Sequence, residues 1–175
     1  MTVDEKAEMM ANLVSGREAL LQALQGVTDD LSARRPGPGR WSVLECVEHV
    51  AIAEEYMLGQ AVSSKPANRP MVNTARENAI RKRGTDRSNR IEAPDVALPR
   101  GRFSRLEDAR DHFVSTRSRT IEFVEGCRDK LRERIASHPL IGEVNCYELL
   151  LIMASHPHRH ARQIHETVQT LRDLY

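Results

Sequence analysis

The chain has 175 residues, enough for one domain with a sizeable core. Hydrophobic residues make up 40% and charged residues 29%, and 26 Lys+Arg against 25 Asp+Glu leave a net charge of +1, so global charge names no partner. No apolar run nears the ~20 residues that span a bilayer, and the acidic start "MTVDEKAEMM" is unlike a signal peptide, so a cytoplasmic protein with no membrane role is expected.

Thr2 with Glu5 forms a capping box ahead of the first helical segment. Its apolar residues Met9, Leu13, Leu20, Leu24, Val27 and Leu31 step by threes and fours, until "RRPGPGR" (34–40) breaks the chain. Ser42 with Glu45 opens the second helix, where Trp41 and Cys46 are placed to form a hydrophobic staple. Its stripe from Val43 to Ala61 ends near Ser63.

Residues 64–103 make a long connection punctuated by Pro66, Pro70, Pro94 and Pro99, with "NTARENAIRKRG" as a short helix inside it. Ten Lys and Arg against four Asp and Glu give this stretch a net charge of +6, whereas residues 1–63 carry −5. Connections of this length are uncommon in compact domains unless they serve topology or function.

Ser104 with Glu107 is expected to cap a third helix, whose apolar face from Leu106 runs on to Ile135. "SHPLIGEV" (137–144) ends it, and Asn145 with Glu148 caps the last helix, which continues toward Leu171. No strands are expected. Four long helices predict an all-α four-helix bundle in a single domain over 1–175. The crossover between helices 2 and 3 is long enough to return along the bundle, which permits an up-down-down-up order.

Cys46, Cys127 and Cys146 are odd in number and form no Cys-x-x-Cys, which argues for small buried hydrophobes and against a disulfide framework or zinc knuckle. Four of the seven histidines fall in "MASHPHRHARQIHE" (153–166). His156 and His160 are four apart, so one helical face carries both, about 40° apart on the wheel and flanking the buried stripe. His158 and His165 lie about 180–200° away and are expected to face water. His49 sits at the edge of the second helix's apolar arc and offers a third ligand. Three neutral imidazoles on one ion, with a position left for water, suit zinc, nickel or iron. The zinc-protease motif is excluded because Pro157 stands where it needs Glu, and that proline predicts a kink or break in the last helix.

"WSVLECVEHVAIAEEYML" resembles the Trp-Ser-x-x-Glu-x-x-x-His signature of the DinB-like (YfiT-like) superfamily, and "HPHRHARQI" resembles its His-x-x-x-His-x-x-Gln-Ile. The resemblance implies an up-down-down-up bundle with a divalent metal on His49, His156 and His160, commonly in a homodimer. It further implies a metal-dependent enzyme acting on a small molecule, a hydrolase or a transferase using a low-molecular-weight thiol such as bacillithiol, mycothiol or glutathione. Gln163, one turn past His160, is a candidate for holding a ligand, and Glu45, one turn before His49, for accepting its second N–H. Glu45 is also the capping-box glutamate, and one carboxylate does not serve both roles well. The alternatives are a non-catalytic metal- or ligand-binding bundle, or an interaction protein working through its basic connection. Few aromatics (4%) and near-neutral charge argue against nucleic acid as the partner.

Overall fold

The computed structural model describes residues 1–88, 91–127 and 130–174. Four long helices form a bundle: α1 (Val3–Ala23), α3 (Val43–Val62), α5 (Leu106–Gly126) and α6 (Cys146–Asp173). Short helices α2 (Asp29–Ala33) and α4 (Thr74–Thr85) lie between them. The predicted first helix is therefore two: the chain turns through Gly26 at φ 72°, open to glycine without strain, and Thr28 caps a new start before Leu31.

The capping boxes Thr2/Glu5, Ser42/Glu45 and Asn145/Glu148 all form. The expected Ser104/Glu107 box does not. Helix α5 begins at Leu106 with no side-chain cap of its own, and the Leu106 N–H donates 3.2 Å to Asp29 of α2. A remote carboxylate thus satisfies an orphan donor at a helix start where the local sequence pattern points to Ser104 as the cap.

Helix α5 also ends at Gly126, well short of Ile135. Residues 128 and 129 lie outside the described part, and Leu131 and Ile135 beyond them belong to a 3-10 turn and a strand. Contrary to the strand-free expectation, β1 (Lys65–Pro66), β2 (Arg134–His138) and β3 (Gly142–Asn145) form a small antiparallel sheet in the order β1-β2-β3. "SHPLIGEV" is its hairpin, turned at Gly142 with φ 73°. Short β-branched and apolar stretches beside a helix share its periodicity, so it is the pairing of β2 with β3 and, across the fold, with Lys65 and Pro66 that separates them.

Contacts fix which ends meet. Lys6 Nζ reaches the Glu125 and Cys127 carbonyls, so the start of α1 lies at the end of α5. Cys46 meets His160 and Ala61 meets Cys146, so the start of α3 faces the second half of α6. Glu55 meets His112, and Glu54 meets Arg117.

Two apolar clusters fill the interior, one around Leu13, Met57, Leu149 and Met153, the other around Leu20, Val47, Phe113 and Ile164. Where they adjoin, Arg117 is fully buried. Its guanidinium donates to both Glu54 oxygens (2.7 and 2.8 Å) and to the backbone carbonyls of Leu13 and Met153 (both 2.7 Å). One side chain therefore links all four bundle helices. The Thr120 hydroxyl lies 2.8 Å from Glu54 and 3.2 Å from the Thr116 carbonyl, so this threonine serves the polar layer.

Helix α6 runs through Pro157 without interruption, so the expected break does not occur. Pro157 has no N–H, which removes the helical partner of the Met153 carbonyl. That carbonyl is one of the two that Arg117 binds. The proline's cost is offset by a buried cation from another helix.

Candidate metal centre

His49 lies in the second turn of α3, and His156 and His160 lie one turn apart in α6. His49 and His160 are buried and His156 half-buried. The His156 Nε2 stands 3.1 Å from His49 Nε2 and 3.0 Å from His160 Nε2. The three candidate ligand atoms all lie within 4.8 Å of one another.

Their second nitrogens decide the chemistry. His49 Nδ1 donates 2.7 Å to the Ala97 carbonyl, which puts its proton there and leaves the Nε2 lone pair facing inward. His160 Nδ1 lies 3.4 Å from the Cys46 thiol. Burial pushes the histidine pKa values down, well below the ordinary range for His156 and His160, with mutual repulsion adding to it. Neutral imidazoles are what a metal needs. Nitrogens bound at ~2.0–2.1 Å around a tetrahedral ion stand ~3.3–3.4 Å apart, so the donor set fits a divalent cation with small adjustments.

Glu45 is not part of this group. Its carboxylate accepts from the Ser42 N–H at 2.8 Å and pairs with Arg35, so the capping role excludes the expected role at His49. The Ala97 carbonyl takes that place instead. Backbone carbonyls carry no side-chain signal in a sequence, which is why this partner is illegible there. Glu48 holds it in position: buried and adjacent to His49, it accepts from the N–H groups of Arg100 (2.7 Å) and Arg102 (3.0 Å).

Trp41 packs against the His49 ring with centroids 4.9 Å apart. Gln163 lines the same cavity, with its Oε1 accepting from Arg87 at 3.0 Å. His158, expected in water, is half-buried, with its ring beside Gly16 of α1. His165 is exposed as expected. Cys46 and Cys146 are buried, whereas Cys127 is only half-buried at the end of α5. Burial raises the Cys46 thiol to about 12, so it is a neutral neighbour of His160.

The histidines open onto a cavity of about 1260 Å³ between α3, α6 and the long connection. The connection runs along α6: Arg76 pairs with Glu148, Gly84 packs on Ser155, and Arg87 pairs with Glu166. His138, at the end of β2, also lines the cavity, and no spacing pattern in the sequence singles it out. Its Nδ1 accepts from the Leu140 N–H at 3.2 Å, so the neutral ring carries its proton on Nε2.

No helix among the described residues is long and apolar enough to cross a membrane. Over 146 residues the chain is 21% identical to the uncharacterized protein YuaE of Bacillus subtilis (strain 168), covering 82% of this chain and 86% of that one. Its fold is similar to that of YfiT from Bacillus subtilis, described as a probable metal-dependent hydrolase with an unusual four-helix bundle topology. That likeness has a TM-score of 0.59 at 17% identity, over 99% of this chain and 90% of YfiT. The family profile of the DinB superfamily matches residues 12–164, nearly the whole bundle and all three histidines, and the chain belongs to that superfamily.

Proposed function

We propose that this protein is a metal-dependent enzyme, a hydrolase or a thiol-dependent transferase, holding zinc, nickel or iron on His49, His156 and His160. The observation that carries this is the meeting of three Nε2 atoms, His156 3.1 and 3.0 Å from the other two, on the wall of a large cavity. The end-to-end contacts between helices support the up-down-down-up order. The working form we propose is a cytoplasmic homodimer acting on a small molecule.

A bound divalent ion would supply Lewis-acid activation of a water or of a low-molecular-weight thiol. The chain's own residues do the rest. The Ala97 carbonyl fixes the His49 tautomer. Gln163 has its oxygen taken by Arg87, which leaves its amide N–H groups to hold a ligand. His138 offers a proton at Nε2 in the cavity wall.

A second role is favoured by one observation: the same histidines tie α3 to α6 and, through Ala97, to the connection, as a purely structural ion would. The basic connection is a weaker candidate, because Arg81, Arg87 and Arg102 are engaged with Glu8, Glu166 and Glu55.

Elemental analysis of protein purified without chelator tests the site. About one ion per chain is expected, falling sharply in His156→Ala; under about 0.2 per chain with no gain on reconstitution would sink it. Turnover in a thiol-plus-electrophile and ester-hydrolysis screen, lost in His156→Ala, separates the enzyme from the structural ion.

A further inference from the structure

The cavity wall is strongly one-signed. Among the described residues Arg40, Arg76, Arg83, Arg87 and Arg159 line it, against the single carboxylate of Glu92. The histidine group itself contains no carboxylate, so an ion there would add to the positive charge. Three of these arginines have protein partners: Arg76 has Glu148, Arg87 has Glu166 and Gln163, and Arg159 has the Asp86 carbonyl. Arg40 and Arg83 have no side-chain hydrogen-bond or ion-pair partner among the described residues, and both are exposed. Ile80, Ile91, Leu140 and Ile141 line the same cavity and present apolar surface, with Ile91, Leu140 and Ile141 44–52% exposed.

We infer that the cavity binds an amphiphilic organic anion, with Arg83, assisted by Arg40, receiving its carboxylate or phosphate and the apolar wall receiving its body. This rests on the cavity being the reaction site, but not on the ion. Arg83 is placed for the task by its neighbour. A Cβ on Gly84 would overlap the Ser155 side chain, so α4 sits directly on α6 at the residue before His156. The arginine's fork geometry suits either oxyanion, and low-dielectric apolar walls strengthen the attraction.

Trp41 is the only tryptophan and lines the cavity, so its fluorescence reports binding directly. Octanoate, octyl phosphate and neutral octanamide share one tail and differ in head group. Each would be titrated into metal-loaded and chelator-treated protein. At least one anion should bind about tenfold tighter than octanamide in both forms, as a charge-assisted hydrogen bond requires. The tighter of the two anions names the head group. Arg83→Ala should reduce the preference to about threefold or less, and adding Arg40→Ala should abolish it. Lys82→Ala removes the same charge from an exposed site outside the cavity wall and should leave the preference intact.

Octanamide binding as well as the anions, or no probe binding at all, overturns the inference. So does a preference that disappears on chelation yet survives Arg83→Ala, because the anion would then sit on the ion. Because the chelated arm is read without metal, a chain that fails to retain an ion still tests the role of Arg83.

Discussion

Arg117→Met tests the claim that one buried guanidinium organises the bundle. The substitution keeps much of the volume but strips four hydrogen bonds. It leaves the Glu54 carboxylate, 1% exposed, facing the core without its cation. Breaking a buried pair from one side costs about 3–5 kcal/mol. For a chain of this size, ~2–4 °C per kcal/mol translates this into a loss of about 6–20 °C. Replacing Glu54 with Met as well removes the stranded charge and should recover much of the loss, since apolar replacement of a whole pair is often neutral. The Met153 carbonyl would still lack a donor, a penalty of about 1–3 kcal/mol. Pro157→Ala returns an N–H to that carbonyl, so it should stabilise the double variant more than it stabilises the wild type, where Arg117 already serves. Urea unfolding of chelator-treated protein, extrapolated linearly, gives each value without interference from an ion. A cost below about 1 kcal/mol for Arg117→Met, or a Pro157→Ala effect that is the same in both backgrounds, would refute the reasoning.

Burial lowers the pKa of all three histidines, so protons compete for them only at acidic pH; metal retention should persist as pH falls below 6.5, with release tracked by a chromogenic chelator, and release centred above that value would contradict it. Arg132 beside Glu5 holds its carboxyl at about 2, so the pair's contribution is present above the unfolded pKa of ~4.3 and is lost as pH falls toward 2. Glu5→Gln should flatten the acid limb of a stability–pH curve and leave its slope above pH ~6 unchanged. Gly84→Ala should lower the melting temperature through overpacking of about 1–3 kcal/mol, and Ser155→Gly should restore part of it; independent, additive effects would mean that α4 does not rest on Ser155.

Much of this molecule is written in local patterns. Three capping boxes, four amphipathic stripes and the His156/His160 spacing all depend on residues within a turn or two of each other. They are legible because helix geometry is fixed. What the sequence hides are the partners that arrive from far along the chain. Asp29 caps α5 from 77 residues away, although Ser104 and Glu107 spell a cap beside it. Leu131 and Ile135 continue the helical stripe, but pairing of Ile135 with Lys65 makes a strand. Glu45 falls in the resembled signature one turn before His49, yet its place three residues after Ser42 commits it to the helix end. The net charge of +6 in the connection becomes intelligible only when its arginines are seen against Glu8, Glu166 and Glu55 of the bundle.

The contact between His49 and Ala97 makes the connection a thermodynamic partner of any ion at the centre. Docking of residues 95–102 orients His49, and Glu48 secures that docking through the amides of Arg100 and Arg102. Whatever binds the docked form more tightly must, by linkage, hold the segment down by an equal free energy. Hydrogen exchange at those two amides is therefore a gauge of occupancy, readable without touching a histidine. Changes in the connection's length or sequence would tune the centre's affinity while leaving its ligands untouched.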